Sequence, residues 1–143
     1  MKILKTRICD PLSNDFELKH ESLLDDYLDL PYSHWSNGSG DSAILKDDTD
    51  GLMFFKFDTN AFFVMELSSY LSPIQNQNDI KWIKHHVGGE PFHFSSRFVC
   101  SKKTLNTILT EYSKSGEKHK NFIWSDPLPD EELHLKLQEQ KQG

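Results

Sequence analysis

The chain has 143 residues, a net charge of −6 from 16 basic and 22 acidic residues, and an aromatic content of 12%. This length fits one domain with its own core, and an apolar content of 36% is typical of a globular chain and excludes a disordered one. A general nucleic-acid binder needs a basic face. The charge therefore disfavours direct contact with DNA or RNA and favours a basic protein partner.

Cysteine content and hydropathy limit the compartment. The two cysteines, Cys9 and Cys100, are far apart in sequence, which argues against a secreted disulfide scaffold. No apolar run approaches the ~20 residues that cross a bilayer, and the first residues lack the apolar core of a signal peptide. We therefore expect a cytoplasmic protein without membrane association.

The first third of the chain predicts a strand, a helix and a polar loop. Residues 2–9 alternate in part between polar and apolar side chains, which predicts a strand. Residues 22–30 predict a short helix with Ser22 as its N-cap. The glycine-rich run 36–41 predicts a loop, and a short strand at 42–45 follows it.

The centre of the chain is the most apolar part. Residues 52–57 and 61–67 are dense in Phe, Met and Val on both sides of the strand repeat, which predicts central strands covered on both faces. Residues 58–60 predict the hairpin turn between them. Residues 68–79 are polar and predict an irregular, exposed connection.

The last third predicts a second hairpin, a helix and a closing strand. Strands are expected at 79–86 and 91–99, joined by a turn at the glycine pair 88–89. The apolar spacing after Ser101 predicts an amphipathic helix that Gly116 ends. The closing strand is expected at 120–124.

The predicted elements define the fold class and the domain boundary. We predict an α+β fold with a mixed or antiparallel sheet of about five to seven strands and two packed helices. Residues 1–130 form a single domain, and the charged, Gln-rich residues 131–143 form a tail or a frayed helix.

Glycine, tryptophan and apolar positions follow a familiar order over roughly residues 20–126. These positions are the loop 38–40 leading to 43–45, the run 51–55, the pair 88–89 with Glu90 and Phe92, Phe98 and Val99 before the helix, and the helix end 109–116 followed by Ile123 and Trp124. In this pattern the chain resembles the immunity protein 1 family of bacterial polymorphic-toxin and contact-dependent growth inhibition systems. The resemblance implies a single α+β domain that binds and neutralises a cognate toxin domain, often a nuclease or a deaminase, inside the cell.

Histidines are the best candidates for a metal site. His85 and His86 lie near His93 across the predicted turn, but zinc sites need three or four ligands of defined spacing, and a fourth ligand is missing. The acidic turn at 47–50 lacks the ligand spacing of a calcium loop. We therefore predict no metal and no cofactor.

Two alternatives to toxin binding remain open on the sequence. Glu66 stands in an otherwise apolar strand and, with His93, provides the acid/base pair of a small hydrolytic enzyme if both reach one substrate. A peptide-binding adaptor module, by contrast, needs a long unpaired strand edge.

The preferred hypothesis is a non-enzymatic toxin inhibitor that acts by stoichiometric occlusion of the toxin's active site. Aspartates carry the charge that would meet a basic cleft, and Trp35 adjoins the polar loop and is expected to be partly exposed. The predicted toxin-binding residues are Asp25, Asp26, Asp29, Trp35, Asp47, Asp48 and Asp50. The acidic loops either plug the cleft in place of substrate phosphates, or the domain binds beside it and blocks access.

Overall fold

The computed structural model describes residues 6–46, 50–75 and 81–127. The elements are, in chain order, β1 (Thr6–Cys9), β2 (Phe16–Leu18), α1 (Glu21–Leu28), α2 (Ser33–Ser36), β3 (Ser42–Leu45), β4 (Gly51–Asp58), β5 (Ala61–Glu66), β6 (Ser72–Pro73), β7 (Trp82–Val87), β8 (Glu90–Ser95), a 3-10 turn (Ser96–Phe98), α3 (Lys102–Ser115) and β9 (Trp124–Ser125).

The main sheet has five strands in the order β2-β1-β3-β4-β5, and every pairing in it is antiparallel. Two small antiparallel sheets, β6-β9 and β7-β8, complete the described fold. Helices α1 and α3 pack against each other, and α3 also contacts β5. The predicted α+β class, with its antiparallel sheet and two packed helices, is confirmed.

Strands β4 and β5 are apolar on both sides because a different layer covers each face. On one face, the ring of Phe54 lies 6.2 Å from that of Tyr27 on α1. On the other face, Phe55 stacks on His85 of β7 at 4.1 Å. The β7-β8 hairpin therefore covers the face that the helices leave open, as the double-sided apolar pattern predicts.

Helix α3 begins and ends where the sequence predicts. Its N-cap is Ser101, whose Oγ accepts the backbone N–H of Thr104 at 3.3 Å. Its C-cap is Gly116 with φ of 72°, a left-handed conformation that glycine adopts without steric cost. The buried side of the helix carries Leu105 and Leu109.

Helix α1 begins earlier than predicted and without the predicted cap. It covers Glu21–Leu28, its N-cap is His20, and no side chain caps it. The Oγ of Ser22 lies 2.6 Å from His20 Nδ1 instead of bonding a backbone N–H of the first turn. The side chains of Leu24 and Leu28 hold the helix to the core.

The expectation that Trp35 is partly exposed is wrong. Residues Ser33–Ser36 form α2 just before the glycine-rich loop, and the Trp35 side chain is fully buried. Its indole N–H donates to Ser42 Oγ at 2.9 Å, and Lys56 Nζ lies 5.8 Å from the ring centroid. Trp35 is therefore a core residue with a satisfied N–H rather than a contact residue at the surface.

Several strand boundaries also differ from the prediction. The predicted strand 91–99 ends at Ser95 because the chain enters the 3-10 turn, and the predicted closing strand 120–124 appears as Trp124–Ser125. The short strands β2 and β6 were not predicted, since two or three residues carry too little alternation. The start of the first predicted strand and the tail 131–143 lie outside the described residues.

The glycine-rich loop is held between two layers. Gly40 has φ of 95°, and its carbonyl accepts the Nε2–H of His85 at 2.7 Å. The backbone N–H of Gly88 donates to the Ser39 carbonyl at 2.6 Å. A Cβ on Gly40 would stand 2.0 Å from the carbonyl oxygen of His86. The glycine thus allows the loop to lie directly against β7.

We expect Gly40→Ala to lower the free energy of unfolding by about 3 kcal/mol or more, since the new methyl group adds a clash to the left-handed strain. Gly89→Ala is the matched control, because Gly89 also has positive φ, at 83°, but has no atom within 4 Å of the new Cβ. It should cost only about 1 kcal/mol. Urea denaturation followed by tryptophan fluorescence measures both, and equal losses would contradict the close packing of the loop.

Candidate binding site

Three of the predicted toxin-binding residues lie together, Asp25 and Asp26 on α1 and Asp29 as its C-cap. Asp25 and Asp29 are one helical turn apart, and Lys102 Nζ at the start of α3 lies 3.1 Å from the first carboxylate and 2.7 Å from the second. The hydrogen bond to Asp29, together with Asp25, raises the pKa of Lys102. Asp26 is exposed and has no ion pair among the described contacts.

A further ion pair extends this arrangement along α1. Lys114 Nζ, near the end of α3, lies 2.5 Å from Glu21. These ion pairs are exposed and contribute little to stability, so they orient two helices that their apolar sides hold together. We define the acidic α1 surface as Glu21, Asp25, Asp26 and Asp29. Three of its four carboxylates pair with two lysines of α3, so the surface keeps an excess of negative charge.

Asp50 lies far from Asp25 and Asp29, near the opposite end of α3. Its Oδ2 is 3.3 Å from Lys46 Nζ, which also donates to the carbonyl of Gly116 at the end of α3. Helix α3 has 14 residues, which corresponds to about 21 Å, and Asp29 lies at its other end. The predicted aspartates therefore do not form one surface.

Asp50 of the acidic turn does not lie beside the glycine-rich loop. The loop precedes β3 and Asp50 follows it, so the two lie at opposite ends of that strand. Asp47 and Asp48 fall outside the described residues.

A cleft of about 480 Å³ lies beside the acidic α1 surface, between the end of α1, the β4-β5 turn and the start of α3. Its lining residues are Leu28, Asp29, Lys56, Thr59, Asn60, Phe62, Ser101, Lys102 and Lys103. A second hollow of about 350 Å³ shares Lys102 and Lys103 with this cleft and extends to Asp25, Asn106 and Thr107.

Lys56 is the least exposed charged side chain of the cleft. It is 8% exposed, its Nζ donates to the carbonyl of Leu30 at 2.6 Å, and it lies 5.2 Å from the ring centroid of Phe62. Burial lowers its pKa, the charge of Asp29 opposes this effect, and Lys102 adds to it. Sequence reasoning missed Lys56, although a single charge within an apolar strand was the available signal, as it was for Glu66.

A chain of hydrogen bonds between buried side chains lies under α2. Trp35 donates to Ser42, and the hydroxyl of Tyr27 lies 2.8 Å from Ser42 Oγ and donates to Asp10 Oδ1 at 2.6 Å. His34 Nε2 lies 2.5 Å from the same Asp10 oxygen. The network joins β1, α1, α2 and β3, so its role in the described structure is to fix these elements to one another.

The pKa of Asp10 follows from this network. Burial alone would raise it, but the hydrogen bonds from Tyr27 and His34 and from two backbone N–H groups outweigh burial and hold the pKa below its usual value. Burial is the main cause that raises the pKa of Tyr27, and the hydrogen bond to Asp10 raises it further. The network therefore favours a charged Asp10 and a neutral Tyr27.

The predicted enzyme pair is not brought together. Glu66 shares the helix-covered face of β5 with Val64, where it bonds Ser69 and lies 3.4 Å from Lys118 Nζ. His93 lies between Phe92 and Phe94, whose rings contact Phe63 on the opposite face of the sheet, and strand alternation turns His93 away from that contact. Glu66 and His93 are thus on opposite sides, so they cannot act on one substrate.

The histidine candidates for a metal site are also separated. His85 pairs with Phe92 and His93 with Lys84, so the two imidazoles project from opposite faces of the hairpin. Within residues 6–46, 50–75 and 81–127, no group of three or more His, Cys, Asp or Glu residues is arranged to hold a metal ion.

The strand edges of the main sheet offer little to a peptide. Strand β2 has only three residues. At the other edge, Phe62 of β5 exchanges backbone hydrogen bonds of 2.9 Å and 3.0 Å with Cys100, and Ser72 donates to the carbonyl of Val64. The long unpaired edge that an adaptor module needs is absent from the part of this sheet that the structure describes.

Comparison with known proteins leaves the family open. No family model matches the chain, and the search of curated proteins returned no match. In the described residues, no helix has the length and apolar character needed to cross a membrane.

We expect Asp10→Asn to lower the free energy of unfolding by about 2 kcal/mol at neutral pH, because the network loses its charged acceptor. The folded-state pKa of Asp10 is below its unfolded value near 3.8. Its contribution is therefore complete above that value and is lost as the pH falls below it.

Denaturant titrations between pH 7 and pH 2.5 test this expectation. The difference in the free energy of unfolding between the wild type and Asp10→Asn should become smaller as the pH falls below about 4. Asp26→Asn makes the same chemical change at an exposed residue of α1 and is the control for the substitution itself. A gap of constant size across this range would contradict the role given to the charge of Asp10.

Proposed function

We propose that the chain is an immunity protein that binds a cognate toxin domain, a nuclease or a deaminase, and occludes its active site with 1:1 stoichiometry. The observation that carries the proposal is the acidic α1 surface, together with the sequence resemblance. Three of its four carboxylates have side chains that are 50–63% exposed even while they contact lysines of α3.

The rigidity of α1 supports a role in recognition. Buried Leu24, Tyr27 and Leu28 fix the helix to the core, and Tyr27 is also held by Asp10. Carboxylates on a fixed helix lose little conformational freedom on binding, so more of the interaction energy remains as affinity.

A toxin that acts on nucleic acid needs a basic cleft for its substrate. A negative surface speeds the encounter with such a cleft and discriminates against partners of like charge. Of the two mechanisms that the sequence leaves open, α1 fits a direct approach to the basic cleft, because its carboxylates project from one helix. The proposal places the protein in the cytoplasm, where the toxin's substrate lies.

Co-expression with the C-terminal domain of the gene product encoded immediately upstream tests the function. Under the proposal, this domain alone stops growth, the present chain restores growth, and the two proteins co-purify in equal amounts. Growth arrest that the present chain does not relieve, with no complex on co-purification, would overturn the proposal.

We expect Asp26→Lys to weaken toxin binding about tenfold, or ~1.4 kcal/mol, mainly through a slower association rate. Glu90→Lys is the matched control, since it makes the same change of charge at an exposed residue of the β7-β8 hairpin, which covers the other face of the sheet. It should alter binding less than about twofold. Surface plasmon resonance at two salt concentrations measures both rates. Equal effects of the two variants would show that total charge, not α1, governs binding.

A further inference from the structure

The cleft at the start of α3 differs in charge from the rest of the chain. The cleft is lined by three lysines, Lys56, Lys102 and Lys103, and by one carboxylate, that of Asp29. The whole chain, by contrast, carries a net charge of −6. Lys102 is held between the carboxylates of Asp25 and Asp29, so the positive charge of Lys56 and Lys103 remains, where the helix dipole also places its positive end.

Lys56 is a buried cation with unused hydrogen-bonding capacity. An ammonium group has three N–H donors. The carbonyl of Leu30 is the acceptor for one of them, and the rings of Trp35 and Phe62 lie 5.8 Å and 5.2 Å away. No second hydrogen-bond acceptor for Lys56 exists among the described residues. A charge that is only 8% exposed gains from an anion that supplies the missing acceptors.

The backbone at the start of α3 also has an unused donor. The N–H of Lys102 donates to Asn60 Oδ1 at 2.8 Å, and that of Thr104 donates to Ser101 Oγ at 3.3 Å. The N–H of Lys103, between them, has no acceptor within the described part of the chain. The first N–H groups of a helix are a common contact for phosphate oxygens.

The remaining walls add hydroxyl groups, because Thr59 and Ser101 also line the cleft. Leu28 and Phe62 lie beneath its surface and are fully buried. A volume of about 480 Å³ is within the usual range of small-molecule sites and exceeds that of one phosphate.

We propose that this cleft binds the phosphate group of a small phosphate monoester, with Lys56 and the first turn of α3 holding the phosphate. A phosphate offers acceptors in several directions, which matches donors on the β4 side and on the helix side of the cleft. The cleft shares Asp29 with the acidic α1 surface, but the phosphate proposal does not rest on the proposed function.

A titration with inorganic phosphate, followed by ¹⁵N–¹H correlation spectra at constant ionic strength, tests the proposal. We expect saturable shifts of the Asn60, Lys103 and Thr104 amides with half-saturation in the low millimolar range, about 1–5 mM. Phenyl phosphate should shift the same amides, because its phosphate group makes the same contacts. Shifts that grow linearly without saturation, or that chloride reproduces, would overturn the proposal.

Asn60→Asp is the decisive variant. Asn60 has φ of 50°, which Asp also tolerates, and the carboxylate can still accept the Lys102 N–H. A negative charge near a helix start does not destabilise the fold, but it repels a phosphate in the cleft. We expect at least tenfold weaker phosphate binding with no loss in the midpoint of thermal unfolding.

Asn121→Asp makes the same chemical change beyond the other end of α3 and should leave phosphate binding unchanged. Lys56→Met should abolish saturable binding. If Lys56→Met does not fold, Asn60→Asp decides alone. Unchanged phosphate affinity in Asn60→Asp would overturn the site.

Discussion

Burial of β4 and β5 from both sides is the constraint on which the rest of the structure depends. Phe54 and Val64 need the helices on one face, and Phe55 and Phe63 need the β7-β8 hairpin on the other. Neither layer alone removes both faces of these strands from water. The hairpin in turn needs the glycine-rich loop, because His85 reaches Phe55 while it donates to Gly40. The glycine-rich loop thus helps to hold the β7-β8 hairpin over the main sheet.

The same burial produces the polar features of the molecule. Lys56 lies on the helix-covered face of β4, so its ammonium group emerges beneath α1 and beside α3 instead of in open water. Lys102 lies between the carboxylates of Asp25 and Asp29 at the mouth of this cleft. A basic cleft and an acidic helix surface are therefore neighbours, and each has its own proposed ligand.

The sequence predicted those elements whose boundaries depend on interactions between neighbouring residues. Ser101 and Gly116 mark the ends of α3 because capping and left-handed φ depend on a few adjacent residues. The apolar runs of β4 and β5 predicted covering on both faces. Trp35 was misjudged because its burial depends on Ser42 and Lys56, which are distant in sequence.

The candidate site was predictable only in part. Asp25, Asp26 and Asp29 follow from helical spacing, but their pairing with Lys102 depends on how α1 packs against α3. No single-sequence pattern encodes that packing. The cleft combines residues from three elements, and only the charge of Lys56 within an apolar strand pointed toward it. The separation of Asp50 from Asp25 and Asp29 likewise depends on sheet order, which charge composition does not determine.

The claim that matters most is that the acidic α1 surface is the face that meets the toxin. Hydrogen–deuterium exchange of the chain, alone and in complex with the toxin domain, examines it directly because it maps the contact without altering any residue. The account predicts slower exchange in α1 and the first turns of α3, with β7 and β8 unchanged. Protection confined to the β7-β8 hairpin, with α1 exchanging as in the free protein, would contradict it.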